Sequence, residues 1–257
     1  MKKFTLFIML ITGCLVVAEE NYRLILNDAY IHKSSQLLLQ YLNEWADYSR
    51  PREADNMAGL ERQVYMAYEA FYKYNYDSLL IKNDSKAPQK RKYLLIQKSI
   101  NVLIANTSKF IYFDEEKRNV FLKTTKSNHF ENFKPSIKKD SLKTLYMAGD
   151  YGTMLLSFFE SQYDSNSRIK MWFGQTKKKQ RIFDKVNFLR EYLNIYPSHW
   201  GNYWIVENEP YVDFIVFDKS YTSALIKYRI NWEIGECILR KNGNVWEIKE
   251  NKIVGIE

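Results

Sequence analysis

The dipeptide Asn242-Gly243 lies between two runs of alternating apolar and polar residues, and it constrains this chain more than any other feature. Asn-Gly suits the tight two-residue turns that join antiparallel strands. With these two residues as the loop, Glu236 faces Lys249, Cys237 faces Ile248 and Leu239 faces Trp246. Opposed residues share a sheet face. One face therefore gathers Cys237, Leu239, Trp246 and Ile248, and the other gathers Glu236, Arg240, Glu247 and Lys249, with Ile238 and Val245.

The runs before this hairpin extend it into a meander. Alternate apolar residues occupy Ala224, Ile226, Tyr228, Ile230 and Trp232, with Lys227 and Arg229 between them. A further strand containing Val212, Phe214 and Val216 follows Pro210. We predict an antiparallel meander over about 203–257, with one apolar face for helices to cover.

The N-terminal third has the spacing of two helices. Apolar residues from Leu37 to Trp45 recur on one helical face, preceded by Ser34-Ser35, and Pro51 interrupts the pattern. The pattern resumes from Met57 to Phe71, with Asp55 as a candidate N-cap. The predicted fold is therefore α+β, with an N-terminal helix pair packed on a curved antiparallel sheet that ends in the meander.

The middle of the chain gives weaker patterns. Tyr93 to Ile104 favours strand, and 110–113 with 119–122 suggests a hairpin around a turn at 114–118. Residues 142–159 have helical spacing despite Gly149 and Gly152. Residues 183–193 predict a short amphipathic helix that ends before Pro197.

The first 18 residues have the layout of a secretory signal peptide. A basic start at Lys2 and Lys3 precedes an apolar run to Val17, and Glu19 ends it. The run is short for a membrane span, which takes about 20 residues. We therefore expect an exported protein, periplasmic or extracellular, with a single α+β domain over 19–257.

Two cleavage sites compete. Cleavage after Ala18 fits a small-residue signal, whereas Ile11-Thr12-Gly13-Cys14 resembles a lipobox, in which cleavage before Cys14 leaves a lipidated, membrane-anchored protein. The apolar residues that continue after Cys14 favour Ala18. Either cleavage lowers the formal charge of +8 by two.

The helix pair followed by a meander through Lys241-Asn242-Gly243-Asn244-Val245-Trp246 resembles the nuclear-transport-factor-two-like superfamily. The resemblance implies a sheet wrapped around helices as a cone, and it covers mainly 205–257. The chain also resembles uncharacterised exported bacterial proteins with a His-Trp-Gly-x-Tyr-Trp stretch, here His199 to Trp204. Fold resemblance implies no particular activity, because this superfamily includes both enzymes and binding modules.

Established catalytic motifs are missing from the sequence. It contains no G-x-S-x-G, P-loop, H-E-x-x-H, C-x-x-C or G-x-G-x-x-G pattern. His32, His129 and His199 lie far apart, so we predict no metal site and no cofactor. Cys237 with His199 is a conceivable thiolate pair, but the apolar face predicted for Cys237 favours a buried, inert thiol.

The segment from His199 to Glu209 is the best candidate ligand site. It combines aromatic residues with a titratable imidazole and two carboxylates: His199, Trp200, Tyr203, Trp204, Glu207 and Glu209. Such a set suits binding of a sugar or peptide, or acid–base chemistry. The alternative is a helix-to-strand connection whose tryptophans cap the core.

The polar face of the predicted sheet is the second candidate. It gathers Lys227, Arg229, Glu236, Arg240, Glu247 and Lys249, with Arg229 as a binding candidate. The alternative is a solvated face with cross-strand ion pairs.

Two lysine-rich runs, 86–92 and 177–181, fall in polar stretches that predict solvated loops. Neither interleaves stacking aromatics, so we expect no nucleic-acid partner. Our first hypothesis is a non-catalytic binding module of the cell envelope, for a small molecule, a glycan or an envelope protein. The alternatives are a hydrolase using His199 with Glu207 or Glu209, and a binder of anionic surfaces through the lysine runs.

Overall fold

A computed structural model describes most of the chain after the signal-like segment. The described residues are 24–83, 93–106, 109, 116–118, 121, 125, 127–137, 142–159, 169–172, 176–193, 195–197, 203–206, 210–230 and 232–256. The structure describes only the backbone of residues 76–83, 169–172, 176–179, 196–197 and 203–205. Within this part of the chain, no helix has the length and apolar character needed to cross a bilayer.

Both predicted N-terminal helices are present, and an unpredicted helix precedes them. Residues 24–31 form α1, and α2 (Ser35–Tyr48) begins where Ser34 Oγ accepts a hydrogen bond of 3.2 Å from the Leu37 amide. Helix α3 (Gly59–Asn83) extends well beyond the predicted end.

Asp55 does not cap this helix, so that prediction is wrong. Asp55 lies in a short 3₁₀ turn, Ala54–Asn56, and pairs with Arg62 at 3.3 Å. The helix begins only at Gly59, whose φ of +57° suits glycine at this entry point.

The main sheet has six strands, namely β2 (Ile100–Ala105), β3 (Ser127–Phe130), β8 (Tyr211–Asp218), β9 (Ser223–Ile230), β10 (Glu233–Asn242) and β11 (Val245–Ile256). Their order across the sheet is β11-β10-β9-β8-β2-β3. The last four form the predicted antiparallel meander. The sheet is mixed, however, because β2 joins β8 in parallel. The α+β class, with N-terminal helices and C-terminal strands, is confirmed.

Two smaller sheets complete the strands. Parallel strands β1 (Tyr93–Ile96) and β4 (Lys143–Tyr146) form one, and β5 (Ile169–Trp172), β7 (Tyr203–Val206) and β6 (Ile195–Pro197) form the other, in that order. Residues 203–206 therefore belong to a separate sheet, and the meander begins at Tyr211 rather than at about 203.

The middle of the chain corrects two predictions. Residues 142–159 are not one helix: β4 comes first, and α4 (Asp150–Phe159) follows a bend at Gly149, whose φ is +103°. In the region of the predicted hairpin, residues 116–118 and 121 are helical, while 110–113 lie outside the described residues. The predicted amphipathic helix near 183–193 is present as α5 (Thr176–Leu189).

The C-terminal hairpin keeps the predicted faces with different pairs. The loop is Gly243-Asn244, so Leu239 faces Ile248 and Lys241 faces Trp246. Moving the loop by one position changes the partners of Leu239 and Arg240 by two residues, which leaves both side chains on their original faces. Beyond Leu239, a bulge at Lys249 adds one more residue, so Cys237 faces Asn251. Cys237, Leu239 and Trp246 are accordingly buried on the inner face, which α3 covers.

The two predicted helices do not share one core. Helix α3 packs on the inner face of the main sheet, through residues such as Tyr68 and Phe71. Helix α2 packs in a second core with α4 and α5, where Trp45 stacks on Tyr151 at a centroid distance of 5.8 Å. Trp45 also donates a hydrogen bond of 3.2 Å from Nε1 to the Tyr146 carbonyl, which links α2 to β4.

Candidate functional site

The predicted aromatic site lies mostly outside the described residues. His199, Trp200, Glu207 and Glu209 are not described, and Tyr203 and Trp204 are described only as backbone on β7. There Tyr203 pairs with Trp172, and Trp204 pairs with Met171 and Pro197. The segment therefore joins two strands, not a helix and a strand, and its role in binding or hydrolysis stays a hypothesis.

The outer face of the main sheet carries the best-defined group of charged side chains. We call it the charged face, and it consists of Arg118, Asp213, Lys227, Arg229 and Glu236. Cross-strand pairing places Lys227 opposite Glu236 and also opposite Phe214. The row continues through Asn101 to His129, whose Nδ1 lies 2.8 Å from Asn101 Oδ1.

A bulge in β8 creates part of this face. The pairing passes from Val212–Tyr228 to Phe214–Lys227, so Asp213 is an extra residue opposite Lys227. Without the bulge, Asp213 and Phe214 would point to opposite faces. With it, Phe214 packs on the outer side, and Asp213 accepts a hydrogen bond of 2.9 Å from Arg229 Nε. Bulges commonly redirect side chains beside functional sites.

Arg229 is therefore held in an ion pair, with the two side chains mostly buried. Alternation of Val212, Phe214 and Val216 predicts one shared face, but the bulge leaves Val212 on the inner face and moves Phe214 and Val216 to the outer one. This pair fixes the guanidinium at one end of the charged face.

The Arg118–Glu236 ion pair lies at the other end. Nη2 of Arg118 is 2.9 Å from Oε1 and 2.8 Å from Oε2 of Glu236, and only 10% and 6% of the two side chains are exposed. A buried pair of this kind is costly to break, because the remaining charge loses its compensation. Glu236 is therefore neutralised by Arg118, and its carboxylate does not form an ion pair with Lys227.

Lys227 lies between these two pairs without an acidic partner. It is half-buried, and among the described residues no carboxylate forms an ion pair with it, although Glu236 is directly opposite. Apolar side chains border the row, namely Leu103, Val216, Leu225 and Ile238, with Phe121 and Phe214. A cation that is partly removed from water beside apolar groups favours an anion that can reach it.

The remaining predicted members of the polar face are solvated. Arg240 faces Glu247 across the hairpin, as the shared face predicts. Lys249 is displaced by a bulge, so that Lys252 replaces it opposite Glu236. Hydrogen bonds from Lys249 and Asn242 lower the pKa of Glu247. Exposed pairs of this kind contribute little to stability.

Cys237 is buried in the inner core as predicted. Burial raises the pKa of its thiol to about 12, which keeps it protonated at physiological pH. A nucleophilic thiolate requires the opposite shift. Cys237 is therefore no candidate nucleophile, with or without His199.

The lysine-rich runs give a mixed result. Residues 86–92 lie outside the described residues. Residues 177–181 fall in the first turns of α5, so the prediction of a loop there is wrong. Their part in binding an anionic surface stays a hypothesis.

A shallow cavity of about 220 Å³ lies where the end of α2 meets β4. Asp47 and Lys143 lie on its rim, 3.8 Å apart. These opposite charges offset each other, and the volume is below the roughly 300 Å³ at which ligand pockets usually begin. The charged face is therefore the stronger candidate.

Sequence reasoning found Lys227, Arg229 and Glu236 from their alternation but missed Arg118 and Asp213. Arg118 is 118 positions from Glu236, and no local pattern joins them. Across the described part of the chain, no three His, Cys, Asp or Glu side chains group closely enough to hold a metal ion.

No family model, curated protein or solved structure matches this chain.

Proposed function

We propose that this protein is an exported, non-catalytic binding module of the cell envelope, and that its charged face binds an anionic ligand. The observation that carries the proposal is Lys227, a half-buried cation with no carboxylate partner among the described residues. Ion pairs hold Arg118 and Arg229 on either side of it. A carboxylate or phosphate group placed over Lys227 would supply the missing charge.

The arrangement favours binding over catalysis. The two carboxylates of the charged face are already engaged by arginines, so they are poorly suited to accept a substrate proton. The ligand class is acidic: a small carboxylate or phosphate compound, or an acidic glycan.

Calorimetric titration with citrate and with inorganic phosphate at low ionic strength tests the binding part. We expect Lys227→Met to weaken binding by about tenfold or more, since it removes a charge-assisted hydrogen bond. Lys219→Met is the matched control, because Lys219 is exposed in the β8–β9 turn. Equal loss in both variants, or no loss in Lys227→Met, would overturn the assignment to the charged face.

Export is proposed from residues 1–18. N-terminal sequencing of the protein recovered from cell fractions should find Glu19 as the first residue of an exported chain. Palmitate labelling that disappears in Cys14→Ala would instead establish the lipoprotein alternative. Recovery of an uncleaved chain from the cytoplasm would overturn export.

We also propose that the fold is related to the nuclear-transport-factor-two-like superfamily. What supports it is α3 packed against the inner face of a sheet that ends in an antiparallel meander. The parallel pairing of β2 with β8 adds a strand pair that the predicted antiparallel sheet did not include.

A further inference from the structure

Strand β11 is a long edge strand with exposed apolar side chains. It pairs with β10 on one side, and no described strand pairs with its other side. Val245, Ile253, Val254 and Ile256 are all exposed along its 12 residues. Such an edge presents unpaired backbone groups to which a further strand can bind.

The charges of β11 are self-complementary in an antiparallel arrangement. The strand carries Glu247, Lys249, Glu250 and Lys252 in that order. If a second copy lies alongside with Lys249 opposite its Glu250, then Glu247 is opposite Lys252 of that copy. The two-fold symmetry repeats both contacts, so each of these four side chains faces a side chain of opposite charge in the second copy.

Neighbouring registers lack this property. Shifting the second copy by two residues places either Lys249 opposite Lys252 or Glu247 opposite Glu250. Shifting it by one residue places Lys249 or Glu250 opposite itself. Like charges directly opposite each other destabilise a strand pair, so the charge pattern selects a single register.

The selected register also matches the two faces of the strand. Glu247 and Lys252 both lie on the outer face, since their β10 partners are Arg240 and Glu236. Trp246 and Ile253 are opposite each other in this register and both lie on the inner face, across from Lys241 and Gly235 on β10.

We infer that two copies of this chain associate through β11, antiparallel, around a two-fold axis between Lys249 and Glu250. Within one chain, Glu247 binds Lys249 at 2.7 Å and Glu250 binds Lys252 at 2.8 Å. Association places each carboxylate between a lysine of its own chain and one of the second copy. The bulges at Lys249 and Val254 distort the edge, which limits the length over which a further strand can pair.

Analytical ultracentrifugation of the mature chain over a wide concentration range tests this inference. We expect a reversible dimer, with Lys252→Glu and Glu247→Lys each raising the dissociation constant by about tenfold or more, since each creates like-charge contacts. The double variant restores opposite charges in both contacts, so its dissociation constant should return close to that of the native chain.

Lys219→Glu is the control, because it makes the same charge change on an exposed turn away from β11. Circular dichroism should show the same fold in all variants. A native chain that stays monomeric at every concentration would overturn the inference. So would a dimer that the single variants leave unchanged, or a double variant that fails to recover.

Discussion

The phenol ring of Tyr228 lies directly over Gly235 on the neighbouring strand. A Cβ atom built at residue 235 would lie 2.2 Å from Cζ of Tyr228, far inside van der Waals contact. The hydroxyl of Tyr228 donates a hydrogen bond of 2.6 Å to Asn251, and Asn251 donates one of 2.6 Å to Asn75 on α3. The missing side chain at Gly235 thus allows one ring to link β9, β11 and α3.

We predict that Gly235→Ala destabilises the protein by about 1–3 kcal/mol, the usual cost of overpacking a buried site. Urea unfolding followed by circular dichroism measures this. Gly255→Ala is the matched control, since its added Cβ would meet only Ile234 Cδ1, at 4.0 Å. Equal effects in the two variants would show that the Tyr228 ring is not the source of the change.

The Arg118–Glu236 pair allows a second prediction. Glu236→Gln should cost about 3–5 kcal/mol, because it leaves a buried guanidinium without its counter-charge. The double variant Arg118→Met/Glu236→Leu should cost less than the single one, since it removes both charges together.

Equilibrium unfolding of these variants measures both costs. Glu247→Gln provides the comparison, because its pair with Lys249 is exposed, and it should change stability by less than about 1 kcal/mol. If the double variant costs as much as the sum of its single changes, the two side chains are not energetically coupled.

Cys237 leads to a prediction about reactivity. With its pKa raised from 9.0 to about 12, the thiolate fraction falls by about a thousandfold at mildly alkaline pH. A Cys14→Ser chain has Cys237 as its only thiol. We expect an aromatic disulfide reagent to label it slowly in the folded protein and rapidly in guanidinium chloride. Complete labelling of the folded chain within seconds would contradict the buried assignment.

The predictable part of the fold is the part determined by local periodicity. Ser34 identified the start of α2, and alternation assigned Cys237, Leu239 and Trp246 to the buried face. Leu239 and Trp246 kept their faces although the loop lies one position later, because an even shift in partner preserves the side of each residue.

The unpredicted part depends on single-residue insertions and on contacts between distant positions. The bulges at Asp213 and Lys249 reverse the alternation locally, and no residue pattern marks them. The parallel pairing of β2 with β8 joins Asn101 to Phe214, across more than a hundred residues. The charged face needs both a bulge and a distant arginine, so only Lys227, Arg229 and Glu236 were recognisable in the sequence.

Asp218 provides the last prediction, a pH-dependent one. Its carboxylate, which is buried, accepts hydrogen bonds from the backbone amides of Thr222 (2.7 Å) and Ser223 (2.9 Å) and from the hydroxyls of Thr222 (2.6 Å) and Ser220 (2.9 Å). Burial alone would raise the pKa of Asp218, but these four hydrogen bonds favour the ionised form and lower the pKa below 3.8.

A lowered folded-state pKa means that the carboxylate stabilises the fold above its unfolded-state pKa, and that this contribution is lost as pH falls through the folded-state value. Asp218→Asn should therefore cost about 2–3 kcal/mol near neutral pH, as expected for lost hydrogen bonds to a charged group. The difference in free energy of unfolding between this variant and the native chain should narrow below about pH 4. Urea unfolding across this pH range measures it, with the exposed Asp55→Asn as a control that should show little difference. If the stability difference between Asp218→Asn and the native chain stays constant down to the lowest pH measured, the ionised carboxylate is not the cause of that difference.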